Sequence, residues 1–310
     1  MKVAILDLGT NTFHLLIAVV KKDRSFEKVF RSKVMVKLGE GAIQNKYIAE
    51  IPFRRGINAL KHYAEVIARY KVQQVHAFAT SGIRSATNGS AFVLAAKREA
   101  GIKIKIIPGS KEAALICYGV RQCIKMSGQK QLIMDIGGGS TEFIIADKTR
   151  IFWKKSFDIG ASRLLETFKP SDPIALREIK KLETFLARVL EPLDLAMKKF
   201  PVKSLIGSSG SFDTLAEMIG WRFHKKEVLK NVTSLRFNLE EYFKLHEMLI
   251  LSTTSQRMKM KGLIKMRVDM IVLSSICTSF ILKKYKMEEM ILSKFALKEG
   301  ALWEAIQKLL

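Results

Sequence analysis

The sequence predicts an α/β fold in which one domain is used twice. Three features predict it. Short apolar runs of strand length alternate with longer stretches of helical period. A turn flanked by two apolar runs occurs twice, and its leading acids, Asp7 and Asp135, stand 128 positions apart. The 310 residues, 48% hydrophobic and 26% charged, suit a globular chain with room for two cores.

The first copy opens on residues 3–6, VAIL, a buried strand. The turn DLGTN follows, then a second strand at 13–20, which together read as a hairpin. Residues 74–78 form the next strand and lead through ATSGIRSATN into a helix over 90–100. Residues 103–107 are a strand, and PGSKEAALICYGVRQCI opens a helix. The stretch 125–130, KMSGQK, reads as a linker. The second copy repeats the opening: 132–134 are apolar, DIGGGST turns, and 143–146 are apolar again. DLGTNTFHLLI and DIGGGSTEFII share the Asp, the Gly, a hydroxyl residue and the trailing apolar run. That spacing is far too long for a solenoid and fits a duplicated domain, divided at 1–125 and 126–310. A helix is expected over 171–197, started by Asp172 and Pro173. A short strand at 204–206 then leads through GSSGSFDTLAEMIG into another helix. From Asn238 onward the pattern is mostly helical. Residues 270–282, MIVLSSICTSFIL, read as a buried helix too short to span a bilayer.

The formal net charge is +24. Residues 1–125 hold 22 basic and 8 acidic residues, a net of +14; residues 126–310 hold 31 and 21, a net of +10. The surplus belongs to the folded body rather than to a basic tail, and it points to a polyanionic partner: nucleic acid, anionic membrane or polyphosphate. Cys117, Cys123 and Cys277 form no CxxC, and no His/Cys cluster has zinc spacing. A zinc site or disulfide framework is not expected, and a reduced cytoplasmic setting fits. Asp7 interrupts what would be a signal-peptide core.

Glycine lets a ligand approach backbone N–H groups closely, and successive N–H groups make a concavity for anions. Gly137, Gly138 and Gly139, followed by the hydroxyls of Ser140 and Thr141, suit phosphate oxygens. Asp135 before them suits a magnesium ion, and Glu142 after them can orient or deprotonate a water. A glycine triplet alone reads as a plain hairpin turn. With an acid before it, Ser-Thr-Glu after it and a repeat upstream, it reads as a phosphate site. In the partner turn Asp7 is the matching carboxylate, Thr10, Asn11 and Thr12 are donors, and His14 lies on the following strand. Thr80, Ser81 and Arg84 fall at a strand-to-helix junction, which is a phosphate site or, with equal weight, an N-cap beside a surface arginine. The loop at 207–211, with Ser209, Gly210 and Ser211, has the same two readings. Glu112, taken alone, simply complements a helix dipole. The segment RMKMKGLIKMR, 257–267, holds no aromatic residue for base stacking. It reads as a solvated basic face, or as a track for a phosphate chain.

The duplicated Asp-x-Gly hairpins resemble those of the actin, hexokinase and heat-shock ATPase superfamily. Within it, AILDLGTNTFHLLI, FATSGIRSATN, IIPGSKEAALICYGV, LIMDIGGGSTEFII, DIGASRLLE, IGSSGSFDTLA, MRVDMI and LKEGALWEAI resemble the exopolyphosphatase / guanosine pentaphosphate phosphohydrolase (Ppx/GppA) family, in family order over nearly the whole chain. The resemblance implies duplicated actin-like (ribonuclease H-like) domains with an active-site cleft between them. It implies hydrolytic removal of terminal phosphate from inorganic polyphosphate, or from pppGpp to give ppGpp, with Mg²⁺ or Mn²⁺ as cofactor. An actin-like ATP-binding kinase or ATPase is the more distant reading. The family's catalytic base falls on Glu112, displacing the dipole reading, and its second essential carboxylate on Glu142. Metal-linked acids fall on Asp135 and Glu142, with Asp7 as a further ligand. Phosphate-contacting positions fall on Asn11, Thr80, Ser81, Arg84, Gly137, Gly138, Gly139, Ser140, Ser209, Gly210 and Ser211, and Arg267 matches a family arginine that reaches the phosphate chain. The implied partner is polyphosphate or pppGpp, in the cytoplasm, with a homodimer allowed and neither membrane nor nucleic acid expected. Longer members carry a further helical region that extends the polyphosphate channel. Because this chain ends near the close of the second domain, long-range processivity is not expected, and the last helix, about 299–310, is expected to pack on the first domain.

Overall fold

The computed structural model describes residues 1–41 and 45–308, so the last two residues of the expected final helix, 309 and 310, lie outside the described residues. The chain divides into two compact units, Met1–Gly119 with Leu297–Leu310, and Val120–Ala296. Each has its own apolar core.

The first unit runs β1 Lys2–Leu8, β2 Thr12–Val20, β3 Phe26–Met35, α1 Glu50–Arg69, β4 Gln74–Ala79, α2 Ser81–Arg84, α3 Gly89–Ala100, β5 Ile104–Ile106 and the start of α4 Gly109–Cys123. Its sheet has the order β3-β2-β1-β4-β5, antiparallel across β3-β2-β1 and parallel across β1-β4-β5. Central β1 is buried on both faces, which is why VAIL is continuously apolar rather than alternating. Helix α1 turns Ile57, Leu60 and Tyr63 inward at helical spacing, and the Tyr63 hydroxyl donates to the Phe13 carbonyl at 2.8 Å.

The second unit follows with β6 Gln131–Ile136, β7 Thr141–Ala146, β8 Ile151–Phe157, α5 Ala161–Phe168, α6 Leu176–Val189, α7 Glu191–Lys199, β9 Ser204–Ser208, α8 Ser209–Ile219, β10 Ser234–Arg236, α9 Leu239–Leu251, α10 Thr254–Arg257, α11 Ile271–Lys284 and β11 Glu289–Ser293. Its sheet order is β10-β11-β9-β6-β7-β8. Taken from the other end, β8-β7-β6-β9-β11 has the order and strand directions of β3-β2-β1-β4-β5, with β10 added at the edge. The duplication read from two turn motifs therefore extends to five strands of each sheet, as the actin-like fold requires.

The last helix, α12 Leu297–Gln307, belongs to the first unit. Gly300 is what lets it seat on α4: a Cβ there would collide with the Leu115 carbonyl. One turn further on, Trp303 meets Tyr118, ring centres 4.9 Å apart.

Two expectations need correction. The single helix over 171–197 is two, α6 and α7, broken at Leu190 by the Glu191-Pro192 start of α7. Asp172 does not start it. Its carboxylate accepts the Thr254 N–H at 2.7 Å and faces the Arg257 guanidinium at 3.0 Å, while Glu178 reaches back to the Ala175 N–H at 2.8 Å. The tail from Asn238 is mostly helical, as expected, but is interrupted by turns over 258–270 and by β11, a five-residue strand that enters the sheet between β9 and β10. The run at 270–282 is buried as expected, inside α11.

Candidate active site

In the second unit, strand register sets four polar residues in a row. Asp135 on β6 stands opposite Glu142 on β7, Glu142 opposite Ser156 on β8, and Asp135 beside Ser208 on β9. Directly opposed residues of neighbouring strands share one face of the sheet, with Cβ atoms about 5 Å apart. The hydroxyls steer the acids. Ser208 Oγ donates to Asp135 Oδ2 at 2.5 Å; Ser140 Oγ and Ser156 Oγ donate to Glu142 Oε1 at 2.7 and 2.6 Å. Both acids are buried, Glu142 to 1% exposure and Asp135 to 7%. Buried carboxylates need such partners, since an unsatisfied charge out of water is heavily penalised.

The glycine turn between β6 and β7 closes with the Gly137 N–H on the Ser140 carbonyl at 3.0 Å. Its carbonyls are all claimed by the start of α5. Gly137 O accepts from Ala161 N at 2.9 Å, and Gly138 O from Ser162 N and Arg163 N at 3.0 and 3.1 Å. Gly139 O accepts from Arg163 Nε at 2.9 Å. A trans peptide directs its C=O and the next N–H to opposite sides. The N–H groups of Gly138, Gly139 and Ser140 therefore point away from α5, and none of them donates a hydrogen bond among the described residues. Three successive outward N–H groups are an anion cradle. Gly160 makes the arrangement feasible, because a Cβ there would lie 2.5 Å from the backbone of Gly138 and Gly139.

Next to the turn, Ser209 begins α8 with φ +74°, a left-handed conformation uncommon outside glycine. Its hydroxyl donates to the Ile136 carbonyl at 3.1 Å, tying the helix start to the end of β6. Gly210 leaves room for the Arg267 guanidinium, which a Cβ would strike. Arg267 Nη1 donates to Thr214 Oγ1 at 2.6 Å. Desolvation pulls this guanidinium below its usual range, with Asp213 opposing. Ser211 is turned inward to Ser274 at 3.1 Å and so sits apart from Ser209 and Gly210.

In the first unit, Asp7 is half-buried and stands opposite His14, whose Nε2 is 3.0 Å from Thr12 Oγ1. The Asn11 carbonyl takes the N–H groups of Val36 and Lys37, and Thr10 O takes that of Leu38. Gly82 brings α2 onto Thr10, since a Cβ would sit 2.9 Å from its hydroxyl. Arg84 Nη1 donates to Glu112 Oε2 at 2.7 Å and to the Ile107 carbonyl at 3.2 Å. Thr80, Ser81 and Glu112 are buried, and Ser81 Oγ is enclosed without a hydrogen-bond partner.

Sequence reasoning singled out the acids and the glycines but missed Ser156, Gly160, Gly82 and Thr214 as their supports, and read Ser208 only as part of the 207–211 loop rather than as the partner of Asp135. The signal was present for two of them: Ser156 and Ser208 follow from strand register once the sheet is drawn. No group of three or more His, Cys, Asp or Glu side chains converges as a metal site among the described residues. Asp135 and Glu142 nonetheless suit a hard divalent cation, which often takes only one or two protein carboxylates and fills its shell with water and substrate phosphate oxygens. Among the described residues no helix is long and apolar enough to cross a membrane.

A model of the Ppx/GppA phosphatase family matches residues 17–309. The crystal structure of an exopolyphosphatase from Cytophaga hutchinsonii is 36% identical, with 99% of this chain and 98% of that one covered and a TM-score of 0.96. The Aquifex aeolicus PPX-GPPA enzyme is 27% identical, with 98% and 99% covered and a TM-score of 0.82. A Haemophilus influenzae protein provisionally named an exopolyphosphatase is 29% identical over 97% of this chain and 90% of its own length.

Proposed function

The chain belongs to the Ppx/GppA phosphatase family, and on that premise we propose that it is an exopolyphosphatase, a hydrolase that releases terminal phosphate from inorganic polyphosphate. The observation that carries the reading is the trio of outward N–H groups at 138–140 beside the buried pair Asp135 and Glu142. An anion cradle next to two oriented acids suits hydrolysis, whereas a passive anion binder gains nothing from carboxylates near phosphate.

Phosphoryl transfer depends on positioning and charge neutralisation more than on covalent chemistry. In this proposal Glu112 accepts a proton from the attacking water, and its bond to Arg84 fixes the carboxylate's direction. The N–H groups of Gly138, Gly139 and Ser140, on a turn begun by Gly137, hold oxygens of the phosphoryl group. Thr80, Ser81, Asn11, Arg84, Ser209, Gly210 and Arg267 are proposed as further phosphate contacts. The enclosed Ser81 hydroxyl, a donor with no internal acceptor, favours its inclusion. Ser211 has the weakest claim, being turned toward Ser274. Asp135 and Glu142, with Asp7 as a further candidate, would hold Mg²⁺, which neutralises charge on the phosphate oxygens. Cys117, Cys123 and Cys277 form no disulfide, which suits the proposed cytoplasmic setting. The +24 charge would draw in a substrate charged at every unit and make its affinity fall with salt.

The test is phosphate release with Mg²⁺ from long polyphosphate, short polyphosphate and pppGpp, for wild type and Glu112→Ala. We expect release from polyphosphate, lowered by about 10² to 10⁴ in the variant. Release from pppGpp alone would move the substrate to the nucleotide, and no release from any of the three would refute the hydrolase reading.

A further inference from the structure

We propose that Arg163, on α5, is a positioning residue for the phosphate cradle: its Nε aims the Gly139–Ser140 peptide and, through it, Glu142. This rests on the functional reading above. Three peptides make the cradle, and two are held by backbone N–H groups at the start of α5. The third, Gly139–Ser140, is held by a side chain, the Arg163 Nε at 2.9 Å from Gly139 O.

That peptide does two things at once. Its N–H is the last of the three outward donors, and its rotation carries the Ser140 hydroxyl that donates to Glu142 Oε1 at 2.7 Å. Without the Nε contact, the Gly139 carbonyl is a buried acceptor lacking its partner. Gly139, on its N-terminal side, lowers the peptide's steric resistance to turning. A flip would replace an outward donor by a carbonyl dipole, which repels phosphate, and would loosen Glu142. Arg163 Nη2 lies 3.8 Å from Asp158 Oδ1, so an exposed acid steadies the outer end of the guanidinium. The planar fork suits this double duty: Nε is held on the carbonyl while Nη2, at the outer end, lies toward the acid. Arg163 touches neither phosphate nor the reacting water in this account.

The test compares Arg163→Met, which keeps length without a donor, with Arg163→Gln, which keeps a neutral N–H able to reach Gly139 O. Three quantities are read: kcat and KM for phosphate release from polyphosphate, the unfolding midpoint, and the shift of that midpoint on adding inorganic phosphate. We expect Arg163→Met to lower kcat on the order of thirtyfold, less than loss of a direct donor, with KM moving less than threefold. Arg163→Gln recovers at least half of that loss on a logarithmic scale. The phosphate-induced shift follows the same order, and the midpoint without phosphate is equal in the two variants. Equal kcat in the two variants would overturn the hydrogen-bond role in favour of packing or charge. If wild type turns over no polyphosphate, the substrate reading fails by itself and the phosphate shift still decides: a shift lost in Arg163→Met and kept in Arg163→Gln supports the positioning role. A shift equal in wild type and both variants refutes it. No shift in any of them removes the cradle and this proposal with it.

Discussion

The two sheets place the same register row at the same distance from their turns, and fill it with opposite chemistry. In the second unit the row reads Ser156, Glu142, Asp135, Ser208, Ser293 across β8-β7-β6-β9-β11. In the first it reads Lys33, His14, Asp7, Phe78, Lys105 across β3-β2-β1-β4-β5. Only the leading acid is common to both. Duplication kept the backbone and the carboxylate before the turn, while one copy became a row of acids served by hydroxyls and the other a row with one acid among basic and apolar neighbours. The turns differ likewise. The glycine turn has its carbonyls pinned by a helix start and an arginine, whereas residues 10 and 11 are pinned by backbone N–H groups at 36–38. What was conserved between the copies is the direction of peptides, and that can be achieved with unrelated side chains.

The sharpest way to break this comparison is to change, in each row, the residue that faces the leading acid across the hairpin. Glu142→Gln keeps size and loses the charge that two serines are arranged to serve. It should lower kcat by roughly 10³, within the range for a catalytic carboxylate, with little change in the unfolding midpoint. His14→Gln at the matching position should lower kcat by less than about tenfold, because on this account it does not hold the reacting group. Equal losses from the two would mean that the rows carry equal shares of the chemistry, and the asymmetry argued here would be wrong.

A smaller effect sharpens the same contrast. Ser156→Ala removes one of two hydroxyls from Glu142 Oε1 and leaves Ser140 in place. Hydrogen bonds to charged groups contribute about 1.5–3 kcal/mol, and partial replacement by water should leave roughly a tenfold fall in kcat. Lys33→Ala, its counterpart in the first unit, should change kcat by less than about threefold while raising KM for polyphosphate at low salt, since an exposed lysine acts through screened attraction. A Ser156→Ala enzyme with wild-type kcat would show that the register row is packing alone.

How far these rows were legible in the chain depends on separation. Asp135 and Glu142 lie on the two arms of one hairpin, and their motif is local, so spacing alone exposes them. Ser156 and Ser208 are recruited 14 and 73 residues away, by strand pairing that no local pattern specifies. Gly160 is ordinary in sequence and is explained only by the backbone that α5 must approach. Glu112 shows the reverse case: physics alone gave it a helix-dipole role, and its contact with Arg84 appears only when α2 and α4 are brought together. Strand β11 was hidden because five residues between two helices cannot outweigh their helical surroundings. Strand β3 stayed unread because this edge strand carries Glu27, Lys28, Arg31 and Lys33, which interrupt any apolar run.

The contrast between the units reaches stability as well, where the expected effect is smallest. His246 is buried in the second unit, with Nδ1 3.1 Å from Ser275 Oγ. That hydroxyl gives its own proton to the Val272 carbonyl at 2.9 Å, so the ring donates, as a neutral imidazole does. Burial, with Lys283 adding to it, pushes His246 down to about 4. The unfolded chain takes up this proton near 6.5 and the folded chain only near 4. The contribution is therefore complete above pH 6.5 and is lost as the pH falls toward 4. Between pH 7 and pH 5 that amounts to about 2 kcal/mol. In the first unit His76 is also lowered, by burial first and Lys308 second, but it is only half-buried. Its loss should have the same sign and a smaller size. Denaturant unfolding at pH 7 and pH 5 measures both: His246→Asn should flatten the acid loss more than His76→Asn does. A steeper flattening from His76→Asn would place the acid-sensitive core in the first unit, leaving the second unit, for all its buried carboxylates and hydroxyls, the less pH-dependent of the two.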